Sequence, residues 1–312
     1  MATMNRLDAM QCFVRVAQAG SFAAAAAQAD VARSVVTRQI ASLERHLGVK
    51  LLARSTRRLH LTAAGIAYLE KCREILDLVA AAETGLGGDA AAHRGPIRIT
   101  GPASFGVRHL MPLLTDFAVL HPGIELEIDL TDRTVDLVAE GVDVAIRISH
   151  RLQEAWVVRP LSVCRSVLVA APGYLERHGE PRHPDDLKHH ECLCYTPALR
   201  TTWPLMVAGE LAHVPVAGRI RANHSDALLD AAIRGLGIAY QPTFAAAPAI
   251  RAGLLKIVLE AYPPQVGGLH AVLPGHRYVP PRVRALVDYL AARTGPHPYW
   301  DDPVVDSVDV PA

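Results

Sequence analysis

Arg33, Ser34, Thr37, Arg38 and Ala41 follow one another at helical steps of one, three and four residues, so a helix here gathers them on one arc. Guanidinium and hydroxyl groups set side by side suit recognition of a polyanion. An arginine can bridge two acceptors on guanine, while serine or threonine takes a base edge or a phosphate. On another arc Val36, Ile40, Leu43 and Leu47 form a narrow apolar stripe that needs something to pack on. Further on, Arg54, Arg57 and Arg58 stand between Leu51-Leu52 and the pair Leu59 and Leu61. That is the pattern of a short basic hairpin with apolar feet, its arginines placed for flanking phosphates or a minor groove.

The net charge of +1 hides an asymmetry that agrees with this chemistry. Residues 1–61 carry nine Lys/Arg against three Asp/Glu, whereas the remainder carries 23 against 28. A basic segment on an acidic body reads as a polyanion-binding module joined to something with another task. Five scattered cysteines in 312 residues suit a reducing compartment better than a disulfide framework. No apolar run approaches the length of a membrane span and no signal pattern opens the chain, so the expected location is the cytoplasm.

Other chemistries find less support. His183, His189, His190, Cys192 and Cys194 crowd one segment, but their spacing fits no standard structural zinc pattern, and no metal or other cofactor is expected. Gly235-x-Gly237 follows a helix instead of opening one, so it is not a dinucleotide fingerprint. Neither G-x-S-x-G nor H-E-x-x-H occurs, and the chain is not expected to be an enzyme.

Local elements must hold the arginines in place. Leu7, Met10, Phe13, Val14 and Ala17 predict a first helix ending at Gly20. Ser21 caps a second, Phe22 to about Ala29, and Gly48 stops a third, Arg33 to Leu47. Two short helices and a tight turn describe a helix-turn-helix, whose second helix enters the major groove. Thr62 caps a long helix to about Leu86, in which Leu69, Cys72, Leu76, Val79 and Leu86 fit a coiled-coil seam. After the glycine-rich linker 85–95, strands and helices alternate, including a helix over about Phe105–Leu120 and a short one at Val135–Glu140. The reading is an α/β region with mainly parallel strands, ending in a proline- and aspartate-rich tail that adds no core.

The run FVRVAQAGSFAAAAAQADVARSVVTRQIASLERHLGVKLLARSTRRLHLTAAG resembles the N-terminal winged helix-turn-helix of LysR-type transcriptional regulators. It matches that family's pattern at Phe13, Val16, Ala17, Gly20, Ser21, Phe22, Ala25 and Ala26, then through Thr37, Gln39, Glu44, Gly48, Arg54, Thr62 and Gly65. HPGIELEIDL, VDLVAEGVDVAIRI, APGYLERHG, HPDDLKHHECLCY and LLDAAIRGLGIAYQP resemble the family's effector domain in order and spacing. The turn departs from the pattern: Ala29 replaces a common leucine, Asp30 a glycine or other small residue, and Ala32 a capping serine, so the cap is weaker or comes from Asp30.

The resemblance implies an all-α winged helix-turn-helix over 1–61, a dimerising linker helix and hinge over 62–94, and a periplasmic-binding-protein-like α/β effector domain over 95–295. It further implies that lobe one comprises 96–160 and 268–294, lobe two 161–267, and that 296–312 is a tail. The implied partners are double-stranded DNA, a second copy in a dimer and then a tetramer, and a small-molecule effector, a carboxylate or aromatic acid, held between the lobes. Thr100, Ala103, Ser104, Phe105, Arg147, Asn223, Ser225, Gln241 and Thr243 are the implied cleft residues. A cytoplasmic solute-binding module or a small-molecule enzyme is the rival reading, and neither explains the basic first sixty residues.

Overall fold

The computed structural model describes residues 5–54, 59–84, 94–150, 156–196, 202–274 and 279–301. The chain divides into two compact units, the first made mainly of the residues up to Arg94 and the second mainly of those from Gly95 on.

In the first unit α1 (Arg6–Ala19) starts at Asn5, whose side chain accepts the Leu7 N–H, and stops at Gly20 in the left-handed conformation. Its buried face is Ala9, Cys12, Phe13 and Val16; Leu7 is exposed, and Met10, Val14 and Ala17 border the core. Ser21 caps α2 (Phe22–Gln28) by accepting the Ala24 N–H, and α3 spans Arg33–Leu47. Ala25 and Ala26 are buried, whereas Ala23 and Ala27 are exposed. The alanine run therefore puts two small side chains where α2 meets its neighbours, and uses the rest as helix formers.

Strands β1 (Leu52–Arg54) and β2 (Leu59–Leu61) pair antiparallel, and their connection lies outside the described residues. Helix α4 (Ala63–Thr84) follows. Leu69 and Cys72 belong to the core of this unit, and Tyr68 sets its ring 5.9 Å from Phe13. Of the residues of the expected seam, Leu69 and Cys72 are taken up by this core, Leu76 and Val79 are half-buried, and Leu86 lies outside the described residues.

The second unit contains two five-stranded sheets. One is ordered β4-β3-β5-β14-β6, formed by Ile124–Leu130, Gly95–Gly101, Val144–Ser149, Gly267–Leu273 and Val157–Cys164. The other is β11-β8-β12-β7-β13, formed by Arg221–Ala222, Cys192–Tyr195, Ile238–Pro242, Ser166–Ala170 and Lys256–Val258. Pairing is mixed, not mainly parallel: β14 runs antiparallel to β5 and β6, and β7 to β12 and β13. The reason is the crossing chain. It leaves the first sheet on β6, enters the second on β7 after Arg165 alone, and returns on β14. The lobe boundary thus falls at residue 165, beyond the expected 160.

Three local expectations change as well. The helix after β3 begins at Ala103 and widens into a π turn over Gly106–Leu110 before Met111–Leu120, and is labelled α5 throughout. Pro112 has no N–H and its ring crowds the preceding turn, so the wider i→i+5 bond from Met111 to Gly106 makes room. Residues 135–140 form no helix; the chain turns, with the Val142 N–H bonded to the Leu137 carbonyl. Pro298, Trp300 and Asp301 are buried, so the tail does contribute core. Lobe two carries α6 (Pro172–His178), α7 (Ser225–Ile233) and α8 (Thr243–Arg251), and α9 (Pro281–Thr294) follows β14. An antiparallel hairpin of β9 (Thr202–Val207) and β10 (Glu210–Pro215) turns at Ala208 and Gly209, with φ of 52° and 84°. Both values are positive, as a two-residue type I′ turn requires, and Ala-Gly does not announce such a turn in sequence.

Candidate nucleic-acid interface and effector cavity

Helix α3 is anchored by Val36, Ile40 and Leu43, each at most 3% exposed, and by one buried carboxylate. Glu44 accepts the Leu51 and Leu52 N–H groups at 3.0 and 3.2 Å and the Lys50 ammonium at 2.6 Å. Burial alone would raise its pKa, but the hydrogen bonds from Lys50, Leu52 and Leu51 outweigh it, and the carboxyl titrates below its ordinary range. Glu44 therefore ties α3 to the first strand of the basic hairpin. Thr62 closes the other side: its hydroxyl donates to the Lys50 carbonyl at 2.7 Å and accepts the Gly65 N–H at 2.9 Å. A Cβ at Gly65 would stand 2.0 Å from the Leu51 carbonyl oxygen, so only glycine lets α4 approach this closely.

The opposite face of α3 carries the expected arc. Arg33, Ser34, Arg38 and Ala41 are exposed and Thr37 is half-buried. Among the described residues no carboxylate pairs with Arg33 or Arg38. Thr37 donates its hydroxyl proton to the Arg33 carbonyl at 3.0 Å, leaving it as an acceptor and a methyl group towards solvent. Asp30 does not cap α3. It occupies the left-handed turn at φ 50°, and Ala32, the N-cap, makes no side-chain hydrogen bond. Arg54 ends β1 opposite Leu59, while Arg57 and Arg58 lie outside the described residues.

In the second unit a cavity of about 760 Å³ opens between the lobes. Of the nine implied cleft residues, Ser104, Arg147 and Ser225 line it. The other six do not. Thr100 is fully buried with its hydroxyl unpaired, and Asn223 is exposed. The Ala103 N–H is taken by Asp132 at 3.1 Å, and Phe105 is packed between Phe244 and Trp300. Gln241 is buried and bonded to Ser225, and Thr243 bonds the Arg165 carbonyl and Asp301. Thr100 and Gln241 sit on strands whose pleat turns them into the protein, whereas Ala103, Phe105 and Thr243 belong to helices that follow strands and are engaged by their neighbours.

The lining hydroxyls also have definite polarity. Ser104 donates to Asp226 at 2.7 Å and Ser225 donates to Gln241 at 2.7 Å, so both offer lone pairs to the cavity. Positive charge enters from Arg133 and Arg147, and Asp132 supplies a carboxylate. That carboxylate is committed to Ala103 and to Tyr195, whose hydroxyl pKa is pushed up to about 12 by burial and by Asp132. Trp156, Trp203, Tyr240 and Phe244 supply an aromatic wall that sequence reading missed. They come from four separate places, the residue before β6, the β9–β10 hairpin, β12 and α8, which only the fold brings together.

The histidine and cysteine segment is engaged internally. His183 caps the turn Pro184–His189, and His190 Nδ1 lies 3.2 Å from the Tyr174 hydroxyl. All five cysteines are buried, and burial pushes the Cys164 and Cys192 thiols up to about 12.

Comparison with known proteins agrees with this geometry. The family model for a bacterial regulatory helix-turn-helix protein of the lysR family matches residues 7–66, and that for the LysR substrate binding domain matches 90–295. The HTH-type transcriptional regulator YhjC of Escherichia coli K12 is 37% identical over 294 residues, covering 92% of this chain and 97% of that protein. Two solved structures share the fold. A full-length variant of AphB has TM-score 0.62 and 26% identity, covering 94% of this chain and 99% of that one. CrgA, a LysR-type transcriptional regulator from Neisseria meningitidis, has TM-score 0.59 and 29% identity, covering 91% and 97%. The chain belongs to the LysR family: it is a DNA-binding transcriptional regulator, not an enzyme, with an N-terminal helix-turn-helix and a two-lobed effector-binding domain.

Proposed function

We propose that α3 is the recognition helix, with Arg33, Ser34, Thr37 and Arg38 at base edges and Arg54, Arg57 and Arg58 on flanking phosphates or in the minor groove. Two exposed arginines with no carboxylate partner among the described residues, on a helix pinned from behind by Glu44, support this reading. The uncapped N-terminus of α3 leaves backbone N–H groups for a phosphate. Association is through α4, where exposed Leu78 lies beside half-buried Ile75 and Val79, one apolar stripe at helical spacing. A two-fold dimer, itself pairing into a tetramer, then reads half-sites about one helical turn apart or a multiple of it. The protein works in the cytoplasm, where its DNA is, and no described helix is long and apolar enough to cross a membrane.

The effector is a small carboxylate carrying an aromatic ring. One observation carries this: two arginines and an aromatic wall face the same interlobe cavity, where the Ser104 and Ser225 hydroxyls already donate within the protein. An arginine can then bind the carboxylate bidentately while the ring stacks on tryptophan or tyrosine. Effector bound there shifts lobe closure or subunit packing, and so the way paired DNA-binding units sit on the duplex. Thermal-shift screening of benzoate-type acids, their amides and aliphatic carboxylates tests the class. Ligands that bind the native state raise its melting temperature. Aromatic acids should do so and Arg147→Ala should abolish the shift; amides working as well as acids would overturn the anionic reading.

A further inference from the structure

The residues just after the last helix, α9, have no part in the functions above, yet they are bonded to both lobes. The Tyr299 hydroxyl lies 2.7 Å from His109 Nδ1, on α5 of lobe one. His109 Nε2 lies 3.4 Å from the Phe244 carbonyl, which can only accept, so Nε2 carries the proton and Tyr299 donates to Nδ1. Trp300 is 6% exposed and sets its ring 4.9 Å from His109 and 5.5 Å from Phe105. Asp301, 4% exposed, pairs with Arg165 at 2.8 Å at the crossing between lobes and accepts the Thr243 hydroxyl in lobe two.

Three of the anchors are next in sequence to the cavity wall. Phe105 follows Ser104; Arg165 stands between Cys164 and Ser166; Thr243 stands between Pro242 and Phe244; all five of these neighbours line the cavity. A segment of three residues thus grips the rear of the cavity from both lobes and from the crossing. Removing it takes the carboxylate from Arg165, the hydroxyl from His109 Nδ1 and the Trp300 ring from the cluster of Phe105, His109 and Phe244.

We propose that Tyr299–Asp301 is an interlobe clasp: docked, it holds the lobes together behind the cavity, and undocked, it lets them part. Its coupling to effector rests on the reading of the cavity given above, and by linkage an effector favouring closed lobes would favour the docked clasp by the same factor. The clasp itself is testable without any ligand. Amide hydrogen exchange of the full-length protein is compared with Trp300→Ala, Asp301→Asn and Tyr299→Phe, the last removing one hydroxyl only. Exchange should quicken at least tenfold in Phe105–Met111 of lobe one and in Ser166–Ala170 and Thr243–Arg251 of lobe two together. The outer strand Ile124–Leu130 and α1 should keep their wild-type rates, and Tyr299→Phe should show the same pattern more weakly. Exchange unchanged, quickened only within 296–301, or quickened evenly through both sheets would overturn the clasp.

Discussion

Arg38 and Glu44 stand six residues apart on α3 and do opposite work: one faces solvent and the other holds the helix still. Arg38→Ala, and Arg33→Ala with it, should cost about 1–3 kcal/mol of discrimination between operator and scrambled DNA, read by competition titration. Arg57→Ala or Arg58→Ala should instead weaken both DNAs alike and lower the salt slope by about one. Glu44→Ala strands two buried N–H groups and should destabilise the protein by about 2–3 kcal/mol in urea titration. Because the folded pKa of Glu44 is depressed, its contribution is complete above the ordinary value of 4.5 and is lost as pH falls through the folded one. The arc on α3 was legible from spacing alone, since period and polarity coincide there. Glu44 was visible only as a residue of a family pattern, because its partners lie in the loop beyond the helix.

At the scale of elements, α2 and the turn behind it set how closely α3 can be approached. Ala25→Leu or Ala26→Leu should overpack the crossing and cost about 1–3 kcal/mol. Ala23→Ser, on the exposed side, should cost only a few tenths. Asp30→Gly should stabilise by about 0.5–1 kcal/mol, because an acid there holds a left-handed conformation that glycine adopts freely. Chemical denaturation of these variants checks all of them. Helices α1 to α3 were readable because the apolar period agrees with the Ser21 cap of α2 and with the stops at Gly20 and Gly48. Within the effector domain, alternating strands gave the α/β class, but strand direction depends on where the chain crosses between lobes, which no local pattern records. The cleft illustrates the same limit: strand ends were found, yet only Ser104, Arg147 and Ser225 of the nine residues point into the cavity.

At the scale of the whole molecule, acid should loosen the effector domain before it affects the helix-turn-helix. Burial holds His109 below its ordinary value of 6.5, the Phe244 carbonyl pulling weakly the other way and Arg108 adding to the depression. His109 is thus neutral in the fold, and its stabilising contribution, complete above 6.5, is lost as pH falls through the folded value. His190 and His270 are depressed by burial in the same direction, so His109→Gln should flatten the loss between about pH 7 and pH 5.5 without abolishing it, in urea midpoints followed against pH. The central claim, that the basic N-terminal unit reads DNA for an effector-sensing body, is tested most directly by titrating the full-length protein against its own upstream DNA and a scrambled duplex. Fluorescence anisotropy at about 0.05 M and 0.2 M salt should show affinity falling steeply with salt for both duplexes. The upstream DNA should be preferred by about 10³ or more, and Arg38→Ala should erode that preference. Equal affinity for the two duplexes, or no binding even at the lower salt, would contradict it.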